Sequence, residues 1–310
     1  MNEEHSPPTS LAATLAAGRF ALTAEIAPPL SCDAADVIRL ARPLKGLADA
    51  VNVTDAAGAR AHMGASAAAA ILAREGIEPI QQFTGRDRNR IALQGDLLAA
   101  AALGVRNILL LRGDDPTAGD QPEAKPVFDL DTVGLLTTAA GLRDRGELPS
   151  GRQLARRPAF FLGVADVPID PPAGWAPHSL AAKAEAGAQF VQTQFCMDAG
   201  IVRRYLARLN ENGLVPRLAI LVGVVPLKSA RSARWMRTHL PGTIIPDAII
   251  ARLERAADPP AEGRRVCVEL MQELAEIPGV AGAHVMAPAN PEAIPAVLAE
   301  TRSIRRRRDP

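Results

Sequence analysis

The chain of 310 residues carries a formal net charge of +1 at pH 7, which gives no general electrostatic reason to expect nucleic acid or a membrane surface as partner. Hydrophobic residues make up 48% and aromatic residues only 3%, so the core has to be built from Ala, Leu, Val and Ile, a composition suited to parallel strands covered by helices. Cys32, Cys196 and Cys267 stand far apart with no CxxC pair; this supports neither a disulfide framework nor a structural zinc site and fits a reducing cytoplasm.

The chain begins MNEEHSPPTS, acidic and Pro-rich with no apolar h-region, and residues 1–18 are expected to be a disordered segment. No later stretch is apolar for long enough to span a bilayer without turn residues, so a soluble, unprocessed protein is expected. Short β-rich runs then recur, each followed by a longer helix-compatible stretch: ALTAEIAP from Ala21, AVNVTD from Ala50, EPIQQFT from Glu78 and NILLLRG from Asn107. Four more follow: AFFLGVADV from Ala159, FVQTQFC from Phe190, RLAILVGVV from Arg217 and GVAGAHVMA from Gly279. The first four starts lie about 29 residues apart, the length of a strand, a helix and two short loops, which implies parallel βα units.

The helices between them carry ordinary core stripes. DAGIVRRYLARLN puts Ile201, Val202, Tyr205, Leu206 and Leu209 on one face, with Asp198 as N-cap. AEGRRVCVELMQELAEIPG does the same with Val266, Cys267, Leu270, Met271 and Leu274. Eight alternations in about 290 residues predict a single (β/α)8 barrel over 19–302, leaving 303–310 as a basic tail to which no function is given. Two gaps exceed the repeat. Asp115 to Pro158 holds a Pro/Gly-rich loop expected over the C-terminal face of strand four, and Pro226 to Pro278 is expected to hold extra helices between strands seven and eight.

Side chains alternate along a barrel strand, so polar residues of interior parity near a strand's C-terminal end point at the mouth. Thr23 and Glu25, Asn52 and Thr54, Gln82 and Thr84, Arg112 and Asp114, and Gln192 and Gln194 form that set on strands one, two, three, four and six, with Leu111 and Gly113 of the opposite parity. For any one Gln or Thr, a satisfied polar group capping a barrel layer is as good a reading as function. Glu25 differs. A carboxylate in TAEIAPP has no cation nearby in sequence, and an ionised, unpaired group in an apolar surround is expensive, so it must find a distant partner or hold a proton at neutral pH. The second option is what a general acid requires.

GxGxxG after a strand, GxxxxGK[ST], HExxH and GxSxG are all missing, which removes the main support for dinucleotide-fold, P-loop, zincin and hydrolase readings. His5, His62, His178, His239 and His284 show no metal-ligand spacing, and each reads as a surface or core residue. Lys183, in LAAKAEAGA, sits on the helix before strand six, a poor place for a Schiff-base lysine.

With these residues laid out, the chain resembles the methylenetetrahydrofolate reductase family from about Phe20 to Leu298. AEIAPP resembles the family's Glu-containing first strand, VNVTD its strand-two Thr, LLLRGDDP its Arg-Gly-Asp strand end, and KAEAGAQFVQTQFCMD its segment leading into Thr-Gln-Phe. The resemblance implies a (β/α)8 barrel that binds FAD and passes hydride from NADH or NADPH through the flavin to methylenetetrahydrofolate, giving methyltetrahydrofolate. By resemblance Glu25 is the general acid, Asp114 the aspartate between flavin and pterin, and Gln194 a folate-binding residue. Thr54, Gln82, Leu111, Arg112, Gly113, Asp114 and Lys183 fall at positions that hold the flavin, and a homo-oligomer is implied. The chain departs from the family pattern where Gln82 replaces a common His and where GVADVPIDPP lacks aromatic and histidine residues. A flavin-free reductase with direct hydride transfer, and a catalytically silent barrel serving as a partner subunit, are the competing readings.

Overall fold

A computed structural model describes residues 9–288 and 290–306. Helix α1 (Ser10–Ala16) precedes strand β1 (Ala21–Ile26), after which strand and helix alternate: α2 (Ala34–Ala41), β2 (Ala50–Val53), α3 (Ala65–Arg74), β3 (Pro79–Thr84), α4 (Arg90–Ala102), β4 (Asn107–Leu111), α5 (Thr132–Asp144), β5 (Phe161–Asp166), α6 (His178–Glu185), β6 (Phe190–Phe195), α7 (Ala199–Glu211) and β7 (Ala219–Val224). Three helices, α8 (Ala230–His239), α9 (Asp247–Arg255) and α10 (Pro259–Ala275), separate β7 from β8 (Val280–Val285), and α11 (Ile294–Glu300) follows. The eight strands pair in parallel and in sequence order, and β8 closes on β1. This is the (β/α)8 barrel expected from the repeat, with the extra helices where the second long gap placed them.

Strand alternation divides the core into two layers. Leu22, Ala24, Val51, Val53, Phe83, Ile108, Leu110, Leu162 and Val164 pack outward against the helices. Ala21, Ala50, Ile80, Leu109, Phe190 and Leu221 fill the barrel floor. Phe190 reaches far enough across that a Cβ on Gly163 would lie 2.2 Å from its ring; only glycine fits there, and Phe161 stacks on the same ring at 5.0 Å.

The N-terminal expectation needs correction. Ser10–Ala16 is helical, capped by the Thr9 side chain, which accepts from Ala12 N–H, and fully buried Leu11 joins the floor cluster. The Glu78 carboxylate, just before β3, accepts from Ser10 N–H (2.6 Å) and Leu11 N–H (3.0 Å). A carboxylate on free N–H groups of a helix start, plus one buried leucine, is enough to seat a short helix under the barrel. Residues 1–8 lie outside the described residues. Within the expected basic tail, Ile304 is buried, and 307–310 lie outside the described residues.

No described helix is long and apolar enough to cross a membrane.

Candidate active site

Strand ends converge on a cavity of about 290 Å³ at the mouth of the barrel, bordered by Glu25, Asn52, Gln82, Leu109, Leu111, Ala165, Asp166, Val167, Lys183, Gln192, Thr193, Gln194, His284 and Met286. Glu25 sits at the inner-facing end of β1 with its side chain 23% exposed. Its Oε2 accepts from Asn52 Nδ2 on β2 and Gln82 Nε2 on β3, each at 3.3 Å, and lies 3.6 Å from His284 Nε2 on β8. These contacts, drawn from three other strands, orient the carboxyl group, and none of the printed partners is a Lys or Arg.

His284 is held from below. Its Nδ1 lies 2.9 Å from Thr23 Oγ1 and 3.3 Å from Gln192 Nε2, which also donates to Thr23 Oγ1 at 3.2 Å. In the tautomer whose Nδ1 accepts from the Gln192 amide, the Nε2 proton faces Glu25. The ring is therefore a core residue, as one reading of the sequence allowed, and is also a wall of the site. Asn52 Oδ1 and Gln192 Oε1, on two cavity-lining residues, and Thr54 Oγ1 are buried without a hydrogen-bond partner, a state that ligand or water donors would relieve.

Opposite Glu25, the end of β5 carries Asp166. Its carboxylate accepts from the hydroxyl of Tyr205 on α7, and Lys183 of α6 reaches to 4.0 Å from Oδ1 while donating to Ala165 O at 2.7 Å. Burial holds the Asp166 carboxyl above the usual carboxylate range, against the lowering pull of the Tyr205 hydroxyl, Lys183 and the Val167 N–H. Burial and the neighbouring Asp166 push the Tyr205 phenol up. Sequence reading missed Asp166, although one acidic residue ending the apolar run FFLGVAD was a visible signal. Gln194 on β6 accepts from Phe195 N–H (2.9 Å), and its Nε2 lies 3.4 Å from Pro241 O in the segment between α8 and α9. That segment runs alongside β6, with Met197 N–H on Ile244 O and Ile244 N–H on Phe195 O.

Strand β4 departs from expectation. Its inward residues are Asn107, Leu109 and Leu111, and the strand ends before Arg112. Arg112 is exposed, with its guanidinium 4.3 Å from the Phe128 ring, and Asp114 is an exposed rim residue that accepts from Gly58 N–H at 2.8 Å. A Cβ on Gly113 would stand 3.0 Å from both Thr84 Cβ and Arg86 Cβ, so this glycine admits the protein's own side chains. Thr84 is likewise committed, its N–H and hydroxyl both on Asp55 Oδ2. Of the residues expected to hold a flavin, Gln82, Leu111 and Lys183 border the cavity, whereas Thr54, Arg112, Gly113 and Asp114 do not line it. The seven residues are thus split between the cavity wall and positions just beyond the ends of β2 and β4.

Fold and site together define an α/β-barrel protein whose strand ends enclose a polar small-molecule cavity between two carboxylates, Glu25 and Asp166. The family model described as methylenetetrahydrofolate reductase matches residues 10–302, and the chain belongs to that family. A probable methylenetetrahydrofolate reductase (NADPH) from Caenorhabditis elegans is 25% identical over 190 residues, 59% of this chain and 26% of that protein; the chain thus spans about a quarter of the length of this curated relative. Among solved structures, an uncharacterized protein from Clostridium thermocellum that binds two copies of 5-methyl-5,6,7,8-tetrahydrofolic acid superposes with a TM-score of 0.64. The match covers 95% of this chain and 98% of that one at 13% identity, a likeness of fold.

Proposed function

We propose that the chain is an oxidoreductase of one-carbon metabolism that reduces 5,10-methylenetetrahydrofolate to 5-methyltetrahydrofolate with a reduced nicotinamide as hydride source. The observation that carries this reading is the placement of Glu25, one carboxyl group facing a ligand-sized cavity and oriented by Asn52, Gln82 and His284. Family membership and the folate bound by the Clostridium protein support the substrate class, and the NADPH in the worm protein's name supports a nicotinamide donor.

The chemistry requires a proton and a hydride at different atoms. Protonation of the bridging nitrogen breaks its bond to the methylene carbon and leaves an iminium at the other nitrogen; hydride adds to that carbon and forms the methyl group. Glu25 gives the proton, and the amides on its Oε2 keep the carboxyl aimed at the substrate. Of the residues assigned to FAD, the usual carrier in this family, only Gln82, Leu111 and Lys183 border the cavity that Glu25 faces, and the reading takes the hydride directly from the nicotinamide. A silent partner subunit would have no use for a carboxylate held by three other strands.

The purified chain, supplied with NADPH or NADH and methylenetetrahydrofolate, should form 5-methyltetrahydrofolate detectable by mass spectrometry. Oxidation of neither nucleotide in the presence of that folate would refute the reading.

A further inference from the structure

We propose that Asp166 and Lys183 form a subsite for the pyrimidine edge of the pterin, the carboxylate taking its 2-amino group and N3–H and the ammonium taking its 4-oxo group. The proposal rests on the folate reading above and deepens it. Neither residue is part of the Glu25 network, yet both border the same cavity, with side chains 19% and 15% exposed.

The pair is built as a gap. Opposite charges this shielded would normally close to a direct contact, but Lys183 Nζ is anchored on Ala165 O at 2.7 Å and stops 4.0 Å from Asp166 Oδ1. Among the described residues that anchor is the one hydrogen bond Nζ makes, leaving donors for a ligand. On the other side, the buried Tyr205 hydroxyl fixes the carboxylate from behind. What fits such a gap is a ring edge offering hydrogen-bond donors to the carboxylate and, beside them, an acceptor to the ammonium. A 2-amino-4-oxopyrimidine presents two adjacent donors followed by a carbonyl, in that order. A flavin edge presents one N–H between two carbonyls and would set a carbonyl against the second carboxylate oxygen.

Topology supports the same orientation. β5 and β1 are four strands apart in a closed barrel of eight, so a ring system held by its pyrimidine edge at Asp166 directs its far end, which carries the bridging nitrogen, towards Glu25. Gln194 is beside the subsite, since Asp166 pairs in register with Thr193.

Calorimetric titration with 5-methyltetrahydrofolate and with its 2-deamino analogue tests the subsite. The wild-type chain should prefer the 2-amino ligand by about tenfold or more, as expected for one charge-assisted hydrogen bond. Asp166→Asn should abolish that preference, and Lys183→Met should weaken both ligands. Equal wild-type affinity for the two ligands, or a preference kept in Asp166→Asn, overturns the subsite alone. If the wild-type chain binds neither ligand, the folate reading beneath it falls as well. The wild-type comparison needs no substitution, so it decides the matter even where a variant does not fold.

Discussion

Asp166 is a charged group in surroundings that disfavour its charge, which separates its part in stability from its part in binding. Its folded pKa is raised above the ordinary 3.8, first by burial; above that value the folded chain therefore binds more protons than the unfolded one, and stability falls as pH rises through the window up to the folded pKa. Asp166→Asn keeps an acceptor for Tyr205 and removes the charge. Its thermal midpoint at pH 7 should lie above wild type, with the difference shrinking as pH is lowered towards 4. A lower midpoint at pH 7 would mean that the Tyr205 contact outweighs burial of the charge. At this scale the sequence made Glu25 legible, because an acidic residue of interior parity within an apolar strand has few innocent explanations. It did not reveal His284. A histidine on β8 gives no sign in one dimension that closure of the barrel sets it against β1.

Elements were legible where strand polarity alternates and illegible where it does not. β1, β2 and β6 interleave polar and apolar residues, so their inward faces, with Glu25, Asn52 and Gln192, followed from spacing. In β4 the run Ile108, Leu109, Leu110, Leu111 is apolar on both faces, as in strands buried on both sides, and carries no phase. Counting from the charged residues beyond its end therefore put Arg112 and Asp114 inside, when the chain had already left the sheet. The α1 helix was hidden for a different reason. Seven residues have little intrinsic helicity, and α1 is stable because Glu78 and the barrel floor receive it. Leu11→Ala should accordingly cost about 2–5 kcal/mol, the usual range for emptying a buried leucine site, read as a shifted denaturant midpoint. An unchanged midpoint would show that the helix does not seal the floor.

For the whole molecule, closure is what makes a site out of scattered residues: Glu25, Asn52, Gln82, Gln192 and His284 come from five strands and meet only because β8 pairs with β1. Beyond the end of β4, Arg112 packs on the Phe128 ring and Asp114 accepts from Gly58 N–H. Direct transfer from the nicotinamide predicts that the protein as purified is colourless, and a visible flavin absorption band that bleaches with a reduced nicotinamide would contradict it.

Single-turnover reduction of methylenetetrahydrofolate by Glu25→Gln is the most direct test of the central claim, that Glu25 supplies the proton. The variant keeps the shape of the side chain and should bind 5-methyltetrahydrofolate as wild type does, while the rate of methyl formation falls by about 10²–10⁴, the usual worth of a positioned acid. Methyl formation by that variant at the wild-type rate would contradict it.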